Sequence, residues 1–248
     1  MVEEAGSTNA LVADRAQDRG PEGLVIAAEH QTAGRGRLAR SWETPPRSGL
    51  TFSVLLRPTA PPALWPWLPL LAGHAVSSAL RATGFSSSVK WPNDVLLGSG
   101  LEERKVAGIL VERVETPTGP AAVIGIGINV GMTTDELPVP EATSLAIAGE
   151  APDRTDLLGA VLDHLWDEYV EWQDGGTEAV ARLAASYAEG CSTLGREVSV
   201  ALPGGSTLTG RAVEIDQTGR LVVVDADGER SAVGAGDVVH VRDANRSE

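Results

Sequence analysis

Three strand-like runs follow one another between residues 87 and 131: SSVKWPNDVLL, RKVAGILVERV and AAVIGIGINVG, separated only by the turn-like GSGLEE and ETPTGP. Connections that short join antiparallel neighbours, because a parallel crossover needs a dozen or more residues. The centre of this chain therefore reads as a mixed sheet whose strands pair through hairpins. Around it, GSTNALVADRAQDRG suggests an amphipathic helix with Ser7 or Thr8 as N-cap and Gly20 as its stop. GLVIAAEH and GLTFSVLLRP read as strands, the second ended by Pro58, and WPWLPLLAGHAVSSALRATG as a helix stopped by Gly84. Residues 154–189 hold two helical segments divided by Gly175-Gly176, with Trp166, Tyr169 and Trp172 expected in the core. From about residue 194 the character changes. Apolar and polar residues alternate between the turn signals Pro203-Gly204-Gly205, Thr218-Gly219 and Asp227-Gly228, as in a small all-β barrel. The expected division is residues 1–192 and 193–248, with no catalytic residue in the second part.

The charges are unevenly spread. The 248 residues carry a formal net charge of −14, which argues against broad binding to nucleic acid or an anionic membrane. No apolar run approaches the ~20 residues of a membrane span, and the start has no signal-peptide pattern, so a soluble cytoplasmic protein is expected. Cys191 is the one cysteine, which excludes a disulfide framework and reads as a small buried side chain. His30, His74, His164 and His240 show no ligand spacing, so no metal site built from protein ligands is expected; His74 reads as a packed core residue. Of the 20 basic residues only Lys90 and Lys105 are lysine, and each is singled out as a candidate functional group.

Arginine gathers in EHQTAGRGRLARSW, where Arg35, Arg37, Arg40 and Arg47 face only Glu43 between residues 34 and 48. Gly34-x-Gly36-x-x-Ala39 formally fits a dinucleotide fingerprint, but Pro45 and Pro46 block the helix it should open, and no acidic residue follows at the required distance. What remains is a glycine-containing loop whose backbone can approach a ligand while its guanidinium groups bind carboxylate or phosphate.

STN, QTAGRGR, KWPND, RKVAGILVE and GIGINV occur in this order, each at a strand end or a strand-to-helix turn. Together they resemble the biotin protein ligases over about residues 6–242. The resemblance implies an α/β (α+β) catalytic domain like that of class II aminoacyl-tRNA synthetases, a mixed sheet flanked by helices, followed by a small SH3-like β-barrel. It implies that biotin and ATP form biotinyl-adenylate and pyrophosphate, and that biotin then passes to one lysine of a biotin carboxyl carrier protein or domain of an acetyl-CoA or acyl-CoA carboxylase. By the same resemblance Ser7, Thr8, Asn9 and Gln31 border the biotin site, and Gly34, Arg35, Gly36 and Arg37 close over biotin and the phosphates. Lys105 reaches the biotin carboxylate and the α-phosphate; Gly108, Gly125 and Gly127 admit the ring and valeryl chain. Arg40 and Trp42 pack on the adenylate, and Asn93, Asp94 and Asn129 match the nucleotide side, where magnesium arrives with ATP. Arg35, Arg37, Asp94 and Lys105 form the expected catalytic set; Asp94, next to Lys90 and Asn93 in sequence, is expected to help position or deprotonate the carrier lysine.

Some features depart from the family. No helix-turn-helix region precedes STN, so operator binding is not expected, and little room is left for the strand that normally comes first. Ala39 stands where many relatives have glycine, which implies a stiffer loop, and VGMTTDELPVPEATSL offers no aromatic residue for adenine. A lipoate ligase or octanoyl transferase on a related fold is the enzymatic alternative. An RGG-like nucleic-acid module is the non-enzymatic one, disfavoured by the acidic charge and the lack of interleaved aromatics.

Overall fold

The structure, a computed structural model, describes residues 1–202, 205–234 and 236–240; Pro203 and Gly204 of one expected turn, and residues 241–248 of the expected barrel, lie outside these. The elements in chain order are β1 (Val2–Ala5), α1 (Thr8–Gln17), β2 (Val25–Gln31), β3 (Gly49–Leu56), α2 (Trp67–Ala82), β4 (Ser87–Lys90), β5 (Asp94–Leu97), β6 (Arg104–Thr116) and β7 (Gly119–Asn129). They continue with α3 (Leu145–Ala148), α4 (Arg154–Asp174), α5 (Gly176–Glu189), β8 (Glu197–Ala201), β9 (Thr207–Ile215), β10 (Leu221–Val224), β11 (Arg230–Val233) and β12 (Asp237–His240).

The first seven strands make one sheet in the order β1-β2-β3-β7-β6-β5-β4. SSVKWPNDVLL, expected as one strand, is two, because Pro92 has no N–H for a sheet ladder and the chain turns there. The hairpins β4–β5 and β6–β7 are antiparallel, and only β1 pairs in parallel, with Val2 opposite Ala28 and Ala5 opposite Gln31. The room before STN therefore does hold a strand. Four residues suffice because a single row of backbone bonds to β2 anchors it. All eight residues of β3 are buried, since helices cover both sides of the sheet. Phe52, Val54 and Leu56 face the large core with α2, while Leu55 meets Val12 and Ala16 of α1 on the other side. The strand's period of two assigns these faces.

Helix α2 is buried along most of its length, from Trp67 to Leu80, because it lies between the sheet and α4. His74 staples this arrangement: Nδ1 lies 2.7 Å from Glu168 Oε1 of α4 and Nε2 lies 3.1 Å from Ser186 Oγ of α5. Leu157, Val161, Leu165, Tyr169 and Trp172 form the buried stripe of α4, but Trp166 is 46% exposed. One step past Leu165 turns a helical residue by ~100° out of that stripe, which corrects its expected place in the core. Cys191 is buried, and burial raises its thiol pKa. No helix among the described residues is long and apolar enough to cross a membrane.

The last five strands make a separate antiparallel sheet in the order β11-β10-β9-β8-β12. Val198, Val200, Leu221, Val223, Val233 and Val238 of this sheet join the same apolar cluster as α2 and the large sheet. Two indole N–H groups cross the junction: Trp67 donates to the Gln217 carbonyl at 3.0 Å and Trp91 to the Gly219 carbonyl at 3.1 Å. The two units thus share a core and are pinned in register by polar bonds.

His240 ends β12 between Thr193 Oγ1 (3.2 Å) and Arg196 Nη1 (3.3 Å). Burial, with the charges of Lys90 and Arg196, lowers its pKa from 6.5 to about 4. Between these values the unfolded chain takes up a proton that the folded chain refuses, so stability falls as pH drops through 6.5 and the loss is complete near 4. His240→Gln is expected to remove roughly 1–2 kcal/mol of that acid sensitivity, given screening of the partly exposed ring. Urea unfolding of both proteins at pH 7.5 and 4.5 measures it; parallel pH dependences refute the assignment.

Candidate active site

The cleft opens on the α1 side of the large sheet, and its floor is a row of aligned residues. Thr51 of β3 lies opposite Gly127 of β7, Gly127 opposite Gly108 of β6, and Gly108 opposite Asp94 of β5. One row further, Ser53 pairs with Gly125 and Gly125 with Leu110. The glycines make room for particular neighbours: a methyl group at Gly125 would overlap Asn9 Oδ1, and one at Gly127 would overlap the Trp42 indole.

Lys105 reaches this floor through an irregularity. Along β6, Gly108, Leu110 and Glu112 face the cleft, so strict alternation would send Lys105 to the opposite side. The β5–β6 register shifts between Val95 and Leu96, where Val95 pairs with Ala107 and Leu96 with Lys105. This bulge inserts one residue, leaves both Val106 and Ala107 in the core, and turns Lys105 over to the cleft. Its Nζ lies 2.6 Å from Asp94 Oδ1 and 5.6 Å from the centre of the Trp42 ring, a cation–π contact.

Polar side chains at the start of α1 form the other wall. Ser7 occupies the N-cap position but makes no capping bond. The Thr8 N–H instead donates to Gln31 Oε1 at 2.7 Å, and Thr8 Oγ1 donates to the same oxygen at 3.0 Å. Ser53 Oγ lies 2.7 Å from Thr8 Oγ1 and 2.6 Å from Asn9 Oδ1, and Asn9 Nδ2 donates to Glu112 Oε2 at 2.7 Å. The helix start is thus organised around the cleft rather than around its own cap.

The arginine loop closes the top. Arg35 pairs with Glu112 at 3.3 Å. Arg37 donates to Asn93 Oδ1 at 3.0 Å and to the Gly236 carbonyl at 3.1 Å, and Asn93 Nδ2 is fixed by the Ile109 carbonyl at 2.9 Å. Burial lowers the Arg37 pKa, opposed by the nearby carboxylates of Asp94 and Asp237. Arg40 forms a salt bridge with Asp237, whose hydrogen bond raises its pKa. Within the loop, Leu38 and Ala39 both have positive φ, 56° and 58°. Trp42 folds inward over Gly108 and Gly127, and its buried Nε1–H finds no acceptor among the described residues, a state that costs about 1–3 kcal/mol. The remaining cavity is about 110 Å³, smaller than the ~300–1,000 Å³ of sites for drug-sized ligands. A substrate of that size therefore requires the Trp42 indole to move off the glycine floor.

Ser7, Thr8, Asn9, Gln31, Arg35, Gly36, Arg37, Arg40, Trp42, Asn93, Asp94, Lys105, Gly108, Gly125 and Gly127 all line this cleft. Gly34 and Asn129 do not. Gly34 accepts the Trp42 N–H through its carbonyl, and the buried Asn129 amide donates to the Thr143 carbonyl at 3.0 Å, both supporting the site from behind. Asp94 is engaged by Lys105; Lys90, the other singled-out lysine, lies outside the cleft lining. The sequence reading missed Thr51, Ser53, Glu112 and Asp237. The first two had a signal, since they are the polar residues at alternate positions of an apolar strand. Asp237 had none; it brings the C-terminal part, in which no catalytic residue was expected, to the edge of the cleft. Among the described residues no three His, Cys, Asp or Glu side chains gather into a metal-holding group.

A glycine-floored trough walled by hydroxyl and amide groups and ending under a lysine and three arginines is suited to an anionic ligand. Comparison with known proteins narrows the class. Residues 4–129 match the biotin/lipoate A/B protein ligase family, and residues 193–241 match the biotin protein ligase C-terminal domain. The chain is 40% identical to a biotin–[acetyl-CoA-carboxylase] ligase of Mycobacterium tuberculosis, over 98% of this chain and 88% of that one. A biotin protein ligase from Aquifex aeolicus, solved with biotin and ATP, superposes with a TM-score of 0.78 at 30% identity, covering 97% of each chain. One from Leishmania major, solved with biotinyl-5-AMP, gives 0.62 at 26% identity over 94% of this chain and 97% of that one. The chain belongs to the biotin protein ligase family.

Proposed function

We propose that the protein activates biotin with ATP and transfers it to a lysine of the carrier protein or domain of an acyl-CoA carboxylase. The observation that carries this reading is Lys105, turned by the bulge to the end of the glycine row where an acid's carboxylate and a nucleotide's α-phosphate can meet. A carboxylate oxygen of biotin attacks the α-phosphorus, the bond to the bridging oxygen breaks, and pyrophosphate leaves with the electron pair. Lys105 and Arg37 offset the charge that gathers there. The α1 hydroxyl and amide groups suit the polar ureido head, and the glycine floor suits the apolar remainder. Magnesium accompanies the triphosphate. The unsatisfied Trp42 N–H supplies a donor for an adenylate oxygen once the indole shifts.

In the second step the carrier amine attacks the acyl carbon, the acyl–oxygen bond to phosphate breaks, and AMP departs. The amine must be neutral, although a free lysine has a pKa of about 10.4. Asp94, released from Lys105 as the phosphate engages it, positions that amine and takes its proton. Asp94→Asn is expected to slow transfer from preformed adenylate by about a hundredfold. A wild-type transfer rate would confine Asp94 to holding Lys105.

The function is tested by isotope exchange between pyrophosphate and ATP with biotin, lipoate, octanoate or no acid. Exchange with biotin alone is expected. Exchange with lipoate or octanoate alone would move the protein to the sister activity, and none with any acid would reject adenylation.

A further inference from the structure

The loop from Gly34 to Trp42 closes over the cleft although its own backbone opposes that shape. Two successive residues with side chains, Leu38 and Ala39, sit in the left-handed region at φ 56° and 58°, where each L-residue is disfavoured by about 1–2 kcal/mol. Internal bonds partly offset this: Gly36 N–H donates to the Arg40 carbonyl at 2.7 Å, Arg40 N–H to the Arg37 carbonyl at 3.2 Å and Trp42 backbone N–H to the Gly34 carbonyl at 2.9 Å, with Arg35 bridged to Ser41. The stronger holds on its two sides come from elsewhere in the chain. Arg37 is held by Asn93 of the β4–β5 turn and the Gly236 carbonyl, and Arg40 by both oxygens of Asp237, at 3.4 Å for Nη1 to Oδ1 and closer for Nη2 to Oδ2. Gly236 and Asp237 both belong to the approach and start of β12, an edge strand of the C-terminal sheet.

We infer that Asp237 is a positioning residue for the adenylation loop: by holding Arg40 beside the Gly236 contact to Arg37, it keeps the strained Leu38-Ala39 turn closed and so retains the acyl-adenylate. This rests on the reading under Proposed function. It assigns the C-terminal unit a specific task in the reaction, performed without contact with the reacting atoms. The strain makes the task necessary. The loop's own bonds work against that strain, and the outside hold on both flanking arginines tips the balance toward closure.

When the loop opens early, water attacks the acyl carbon of the adenylate, the acyl–oxygen bond to phosphate breaks, AMP leaves with the electron pair and the proton passes to solvent. The products are free biotin and AMP, formed without carrier. Asp237→Asn is expected to raise this carrier-independent leak about three- to fivefold, the scale of a partly exposed charged pair. Asp237→Glu is expected to restore retention. Ala39→Gly removes the side-chain penalty for positive φ, so Asp237→Asn/Ala39→Gly is expected to leak within about twofold of wild type. Trypsin nicking after Arg35, Arg37 or Arg40 in the ligand-free protein reports loop opening without any turnover, and should rise in Asp237→Asn and fall back in the double variant.

Asp225→Asn serves as the control for general loosening of the C-terminal unit, since Asp225 closes the β10–β11 turn through the N–H groups of Asp227 and Glu229 at the opposite edge from β12. A wild-type leak or a wild-type nicking rate in folded Asp237→Asn overturns the inference. So does an equal defect in Asp225→Asn, or a leak that Ala39→Gly fails to reduce. Lack of biotin-dependent exchange in the wild-type protein would reject the proposed function instead, and the nicking comparison would still report on the hold itself.

Discussion

Lys105→Ala is expected to reduce biotin-dependent pyrophosphate exchange on the order of 10²–10³-fold, the usual cost of removing one preorganised donor to developing charge. The structure places Nζ 2.6 Å from Asp94 Oδ1, on the cleft side of a bulge. The ammonium is therefore present and oriented before any substrate arrives. Adenylation brings two anions together, and the charge on the α-phosphate oxygens grows as the fifth oxygen approaches. A fixed cation at that point lowers the barrier more than it tightens the ground state, so the loss should fall mainly on kcat. A second effect acts in the same direction: without Lys105, Asp94 remains as an uncompensated carboxylate beside the phosphate. Lys105→Ala/Asp94→Asn should therefore recover part of the adenylation rate. Steady-state exchange at saturating biotin and ATP measures both variants. A kcat within about threefold of wild type in the single variant would remove Lys105 from the catalytic set.

Trp91→Ala should cost about 3–5 kcal/mol of folding stability, at the upper end for loss of a large buried aromatic. Trp91 is 1% exposed, its indole N–H donates to the Gly219 carbonyl, and its backbone N–H donates to Thr193 Oγ1 at 3.1 Å. Truncation leaves a cavity, an unpaired Gly219 carbonyl and a weakened junction between the large sheet and the C-terminal unit. Because Asp237 of that unit reaches the arginine loop, this structural lesion should also open the cleft. Urea unfolding gives the stability, and trypsin nicking after Arg37 or Arg40 gives the loop. A loss below about 1 kcal/mol would mean that the junction rests on the apolar cluster alone. Trp91→Phe, which keeps an aromatic ring and loses the bond, should fall between the two.

Much of this architecture was legible in the chain. Hairpin-length connections between residues 87 and 131 dictated antiparallel pairing, and the alternation after residue 194 marked a second, all-β unit. The clusters STN, GRGR, KWPND and GIGIN carried the chemistry, and nearly all of their singled-out residues line one cleft. Trp166 was misplaced because composition marks a tryptophan as a core residue, whereas the helical phase set by Leu165 and Tyr169 turns it outward. The N-terminal strand was missed because VEEA carries no apolar alternation; its order comes from bonds to β2.

Sequence alone marked most of the strands and turns, because periodicity and turn chemistry are local properties, and its resemblance to a family marked which residues border the candidate site. It could not determine the face on which Lys105 emerges, since one inserted residue at the β5–β6 bulge reverses side-chain direction and leaves no mark in the pattern of apolar residues. Nor could it show that Asp237 closes over Arg40, 197 positions away in the chain. Such a contact exists only after two separate sheets have docked on one core, and an aspartate that opens a β-strand looks the same whether or not an arginine waits across the junction.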